Sequence, residues 1–331
     1  MPEKMTPEVS IVVPVGPNAR LQESMLSALC DLEYDGFEVI IVTAPGSKGV
    51  ATSACQDRLP IRTLRCRRDS PSALRNLGAL AATKDLIAFL DPDCLPRPDW
   101  LSRLVHAKHS LKTRVVVGAA EPSNADESVW AGISGRRHRM WVEMVRDGGF
   151  INRIDTRNLL IEKSLLVEAG MFDEALVSKE DRDLCFRIRR LREKIGFAQD
   201  AVVLHREPST VVQLLRRAIW YGRGMAQFRK KYGLAPLSRS PDWIFYKSYV
   251  AQSPWLIASA VMLSTSALLY GLFGYPSLWL SAGALVALAK GLESVGRSGI
   301  NWILGRNTVS EFVYDLVSDL GHKAGYLGSV L

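Results

Sequence analysis

The feature that most constrains this chain is an apolar run that ends abruptly in acid: Leu86-Ile87-Ala88-Phe89-Leu90 followed by Asp91-Pro92-Asp93. Five consecutive apolar residues are what a strand buried on both faces requires, which implies a sheet covered on both sides. If the chain stays extended through Pro92, Asp91 and Asp93 project from the same face and can aim at one point. Two hard oxygen ligands at the carboxyl end of a buried strand suit Mg²⁺ or Mn²⁺. The alternative is a polar turn, since Asp and Pro are ordinary turn residues.

The chain before this point alternates strand-like and helix-like segments. Val9–Val15 and Phe37–Val42 are β-branched runs, and Ile61–Leu64 reads as a third strand. Leu21–Leu32 carries apolar residues at helical spacing, and Ser72–Ala82 reads as a helix with Ser70-Pro71 at its start. This βαβ rhythm predicts an α/β fold with a mostly parallel sheet flanked by helices, where ligands bind outside the carboxyl ends of strands. Further on, Trp100–Ser110 reads as a helix, Val115–Val117, Asn158–Ile161 and Ala201–Leu204 as strands, and Lys163–Ala169 as a short helix. Residues 124–147 show no clear period. Glu180-Asp181-Arg182-Asp183 opens a helix to about Lys194, its acids complementing the helix dipole.

Hydrophobic content of 47% and charged content of 23% exclude a disordered chain. The five cysteines are odd in number and form no C-x-x-C, so reduced thiols are expected rather than a disulfide scaffold. A net charge of +8 points to an anionic partner. From Arg206 to Lys247 basic residues are interleaved with aromatics, a pattern compatible with nucleic acid. The segment that follows argues for a membrane instead. Ser253–Phe273 holds no charge, enough to cross a bilayer core, and Leu278–Ala289 is a second apolar run after Gly274-Tyr275-Pro276. The expected organisation is a catalytic domain over 1–235, a basic aromatic juxtamembrane segment over 236–252, a transmembrane hairpin over 253–290 and an amphipathic tail over 291–331. That tail would lie on the membrane or against the catalytic domain. Flanking basic residues place both ends of the hairpin, and the catalytic domain, on the cytoplasmic side of the plasma membrane, with no nucleic-acid partner.

Between Val9 and Gly233 the chain resembles the family 2 glycosyltransferases of the GT-A fold. The carriers are Val9–Pro14, Ala73-Leu74-Arg75-Asn76-Leu77-Gly78-Ala79, the run into Asp91-Pro92-Asp93, Thr156-Arg157-Asn158-Leu159, Ala169–Glu174 and Glu180–Leu184. The resemblance implies a nucleotide-sugar donor held by Pro14, Arg75, Asp91 and Asp93, a divalent metal on Asp91 and Asp93, and His205 as an additional metal ligand. It implies Asp181 as general base, with Glu180 as its competitor or partner, and Asn158, Asp183, Arg217 and Tyr221 on the acceptor side. The implied reaction is single displacement with inversion, onto a lipid-linked or envelope-glycan acceptor. The chain departs from the family in the nucleotide pocket, where Val42-Thr43-Ala44-Pro45-Gly46 lacks the acidic pair that reads uracil. Gln213–Arg217 is an incomplete form of the motif of processive synthases, which argues against polymer extrusion. The competing readings are a membrane scaffold that has lost donor binding, and a nucleotidyltransferase.

Overall fold

The computed structural model describes residues 7–17, 21–48, 58–233 and 309–329. The two apolar runs, most of the basic segment from 234 onward and Cys55 lie outside the described residues. Among those described, no helix is long and apolar enough to cross a membrane.

The first strands form where expected: β1 (Val9–Val15), β2 (Phe37–Thr43), β3 (Ile61–Arg65) and β4 (Leu86–Leu90). They lie in the order β3-β2-β1-β4, all parallel. Helices α1 (Glu23–Cys30) and α2 (Pro71–Ala81) cover opposite faces. The alternation along β4 is plain: Leu86, Ala88 and Leu90 enter the core with α1, while Ile87 and Phe89 enter the core with α2. The Ser70 hydroxyl caps α2 by accepting from the Ala73 amide at 3.1 Å, with Pro71 at the first helical position.

The second half corrects the expectation of a mostly parallel sheet. After the short β5 (Cys94–Pro96), α3 (Trp100–Leu111) leads to β6 (Val115–Pro122). Next come α4 (Val129–Val145), the two-residue strands β7 (Arg146–Asp147) and β8 (Phe150–Ile151), and β9 (Asn158–Glu162). Strand β9 inserts antiparallel between β4 and β6, so the ten-stranded sheet is mixed. The chain continues through α5 (Lys163–Glu168), α6 (Glu180–Arg190) and β10 (Ile195–His205), which pairs parallel to β6 and antiparallel to β5 and β8. The β10–β6 register slips between Ala198 and Val202.

Asn158 holds that irregularity together. It is fully buried, its Nδ2 donates to the carbonyls of Ala119 and Ala201 at 2.8 Å, and its Oδ1 accepts from Trp100 Nε1 at 2.8 Å. With the amide's oxygen and nitrogen both engaged inside the core, Asn158 is a scaffold residue and not an acceptor contact. Helix α4 was invisible to periodicity because half-exposed polar residues interrupt its apolar positions.

Helix α7 (Val211–Tyr232) spans much of the basic aromatic stretch, and its charges turn toward the protein. Arg217 reaches Glu207, Arg229 reaches the Tyr326 hydroxyl at 2.7 Å, and Lys231 reaches Asp173 and Asp183 at 2.6 Å each. These three side chains are engaged within the domain rather than presented to headgroups. The final helix, α8 (Val309–Leu327), packs its segment from Tyr314 onward against α7. The approach is very close: a Cβ at Gly222 would stand 2.1 Å from the His322 carbonyl oxygen, and one at Gly325 2.0 Å from that of Ile219. Glycine is required at both points.

Candidate active site

The site gathers at the carboxyl ends of β1 and β4, the face of α2, the start of α6 and the end of β10. Pro14 is buried within β1, opposite Val42 of β2. The Asp91-Pro92-Asp93 segment is not extended, as the spacing suggested. The Cys94 amide donates to the Asp91 carbonyl at 3.0 Å, closing a turn with Pro at its second position. The turn sends the two carboxylates to different partners.

Asp91 turns toward α2. Arg75 Nη2 donates to Asp91 Oδ1 at 2.7 Å, and Arg75 Nη1 donates to Glu180 Oε1 at 2.8 Å. Arg75 is nearly fully buried, so burial weakens its charged form. The carboxylates of Asp91 and Glu180 more than reverse this and hold its pKa above the ordinary value. With both terminal nitrogens occupied, Arg75 braces the site instead of reaching out to phosphate. Burial raises the pKa of Glu180, against the opposing pull of Arg75. Helix α2 can carry Arg75 this deep because Gly78, one turn on, lets it press on β1; a Cβ there would lie 2.3 Å from Val12 Cγ1.

Asp93 turns toward β10. Its Oδ2 lies 3.5 Å from His205 Nε2, and His205 Nδ1 lies 3.0 Å from Glu207 Oε1. Burial and Arg157 push the imidazole pKa down, but the bonds to Asp93 and Glu207 prevail and lift it to about 9. Desolvation opposes ionisation of Asp93, and His205 overcomes it, leaving that carboxyl below its usual range. A carboxylate behind one ring nitrogen orients the other toward an incoming cation. Asp91, Asp93 and His205 thus have the donor chemistry for a Mn²⁺- or Mg²⁺-type ion, although no cluster of three such groups close enough to hold a metal occurs among the described residues.

Glu207 leads further. Its Oε2 accepts from Arg217 Nη1 at 2.5 Å and from the Ser134 hydroxyl at 2.5 Å, and Arg157 Nη1 lies 3.3 Å from its Oε1. Arg157 Nη2 donates to Asp155 at 2.7 Å. Arg153 then lies 4.0 Å from Asp155 and 3.9 Å from Asp181. Charges of alternating sign therefore run unbroken from Asp93 to Asp181. His138, from α4, faces Arg157 and Asp155. Burial and then the Arg157 charge push its pKa down to about 3, so it is neutral at pH 7.

Asp181 accepts from the Arg182 amide at 2.7 Å and keeps its side chain 22% exposed. Glu180 is locked to Arg75, which leaves Asp181 as the accessible carboxylate of the pair. Tyr221 stands beside it on α7, its ring under the Lys179 ammonium at 3.7 Å. Asp183 is placed elsewhere. Its side chain is fully buried, accepting from Arg187 at 2.6 Å, Lys231 at 2.6 Å and Tyr232 at 2.7 Å, so it ties α6 to α7 and contacts no acceptor. Arg217 is held by Glu207 and Ser134, with Tyr314 of α8 at 3.4 Å. The sequence reading missed Glu207, Asp155, Arg153 and Lys179. Arg157 stood within a recognised motif with no role attached.

Residues 10–164 match the family model described as glycosyl transferase family 2. That stretch is a family 2 glycosyltransferase domain. The match takes in Arg75, Asp91 and Asp93, while Asp181 and His205 lie beyond it. The chain is 24% identical over 241 residues to a pre-mycofactocin glycosyltransferase of Mycobacterium tuberculosis, covering 66% of this chain and 47% of that protein. It therefore spans about half the length of that relative. It is 26% identical over 230 residues to glycosyltransferase AglE of Haloferax volcanii, covering 67% and 74%. The fold resembles that of the mannosyltransferase PcManGT from Pyrobaculum calidifontis, solved in complex with GDP-Man and Mn²⁺. The TM-score is 0.63 at 16% identity, over 99% of this chain and 88% of that one.

Proposed function

We propose that the chain is a membrane-anchored inverting glycosyltransferase. It moves a sugar from a nucleotide-diphosphate donor to a hydroxyl of a lipid-linked or envelope-glycan acceptor at the cytoplasmic face of the plasma membrane. The observation that carries this reading is the Arg75 bridge, which ties the Asp91-Pro92-Asp93 turn to the start of α6. A diphosphate held at the turn and a hydroxyl held at Asp181 then share one cavity. The family 2 domain supports the transfer of sugar, and the nucleotide sugar and Mn²⁺ of the mannosyltransferase support the donor class and the metal.

In this mechanism a divalent cation held by Asp91, Asp93 and His205 supplies charge stabilisation to the departing nucleoside diphosphate. The rest is the chain's own work. Glu207 keeps His205 turned toward Asp93. Arg75 fixes Asp91 and Glu180 at a set separation. Asp181 takes the proton from the acceptor hydroxyl as that oxygen attacks the anomeric carbon, and Arg153 nearby favours its ionised form. Anchoring rests on the sequence of the apolar runs over 253–273 and 278–289.

The test incubates detergent-purified protein with a panel of nucleotide sugars and Mn²⁺ and measures nucleoside diphosphate release. Turnover is expected with at least one donor, and loss of it in Asp91→Asn and Asp181→Asn. Full turnover in either variant overturns the roles assigned.

A further inference from the structure

Beside Asp181 lies more positive charge than the neighbouring carboxylates neutralise. Among the described residues Lys179 makes no ion pair, and its Nζ rests on the Tyr221 ring. Its backbone is left-handed, with φ at 67°, a conformation that favours glycine or asparagine and costs about 1 kcal/mol or more for other residues. Arg153 stacks its guanidinium on Trp141, 4.1 Å from the ring centroid, and approaches Asp181 and Asp155 only at 3.9 and 4.0 Å. Arg182 follows in the next turn, its pKa brought down to about 10 by burial, with Arg153 adding to the effect. Of the carboxylates here, Glu180 belongs to Arg75 and Asp155 to Arg157 at closer range. Asp181 alone is left to balance Lys179, Arg153 and Arg182. Burial, with Arg182 and Arg153 adding to it, lowers the Lys179 pKa to about 8 despite Asp181. A strained backbone carrying an uncompensated ammonium beside a reaction centre is the signature of a site awaiting an anion.

We propose that the acceptor presented to Asp181 carries a phosphate group, bound by Lys179 and Arg153. This rests on the glycosyl-transfer reading above and adds the class of acceptor. A fork-shaped guanidinium and a point-charge ammonium together match a tetrahedral, multiply charged phosphate. A lipid phosphate and a soluble sugar phosphate share that chemistry.

The test is calorimetric, on the full chain in non-ionic detergent with Mn²⁺ and saturating GDP or UDP, so that the donor diphosphate site is filled. The probes are n-decyl phosphate, glucose 6-phosphate and the neutral n-decyl maltoside. At least one phosphate probe is expected to bind about tenfold or more tighter than the maltoside. Lys179→Asn, which tolerates the left-handed backbone, and Arg153→Gln should each remove about tenfold of that preference, with nucleotide affinity unchanged and Lys179→Arg restoring it. Binding of decyl phosphate alone assigns a lipid-phosphate acceptor, and comparable binding of glucose 6-phosphate a soluble one. Equal affinity for phosphate and maltoside overturns the proposal, as does a full phosphate preference in both Lys179→Asn and Arg153→Gln. Failure of both GDP and UDP to bind overturns the glycosyl-transfer reading instead, and is read before any phosphate probe is added.

Discussion

Arg75 and Glu180 meet at 2.8 Å across 105 residues of chain, and the same guanidinium holds Asp91 at 2.7 Å. Removing that arginine strands two carboxylates in a largely dry site. Arg75→Met is expected to lower stability on the order of 3 kcal/mol, the scale on which a broken buried ion pair is felt. Urea denaturation measures it. Glu180→Gln keeps one acceptor for Arg75 and should be much milder; an equal loss in both would show that the guanidinium is not the brace.

Glu207 acts on the cation site through His205. Glu207→Gln is expected to weaken Mn²⁺ binding about 10- to 100-fold, as loss of a carboxylate behind a ligating imidazole does elsewhere. Titration of Mn²⁺ by electron paramagnetic resonance reads this directly. Because Arg217 and Ser134 also lean on Glu207, melting temperatures are compared alongside.

Gly78→Ala places a methyl group 2.3 Å from Val12 Cγ1, a separation that side chains do not tolerate. Strand β1 is fully buried and cannot yield, so α2 must shift. A stability loss of about 1–3 kcal/mol follows. Since Arg75 moves with α2, nucleoside diphosphate affinity should fall as well, whereas an ordinary core defect would lower stability alone.

Acid should loosen the edge where β1, β2 and the start of β4 are joined. Glu38 is buried and accepts from Ser10 Oγ at 2.7 Å, the Thr83 amide at 2.7 Å and Thr83 Oγ1 at 2.6 Å. Desolvation opposes its ionisation, but these bonds and Arg62 bring its pKa below the ordinary 4.5. A depressed carboxyl pKa stabilises the fold above the unfolded value, and that stabilisation disappears as pH falls through the folded one. Glu38→Gln should melt below the parent at pH 7, with the gap closing as pH drops under 4.5. A gap that stays constant down to pH 3 would remove Glu38 from the acid response.

The first four strands and the helices between them were legible because each is a buried run whose alternation feeds two cores. The site was legible where one residue type does one job: acids after a strand, an arginine on a helix, acids opening α6, a histidine ending β10. What hid was collective. Asp155, Arg157 and Glu207 matter through one another, and no local spacing announces that a motif arginine will face a carboxylate fifty positions away. Asn158 and Asp183 misled for the opposite reason. Each has the chemistry of a ligand-binding group, yet the mixed sheet and the α6–α7 junction consume every bond it can make. The antiparallel insertion of β9 escaped notice because a fully apolar strand carries no mark of its direction.

The alternating charges from Asp93 to Asp181 have a thermodynamic consequence. Each link is held by its neighbours, so a cation arriving at the turn and a hydroxyl arriving at Asp181 address the two ends of one network. Binding events joined in this way are reciprocal: whatever factor the metal adds to acceptor affinity, the acceptor must add to metal affinity. The two halves of the site then respond as one cooperative unit, and a donor without an acceptor is held less firmly than a donor about to react.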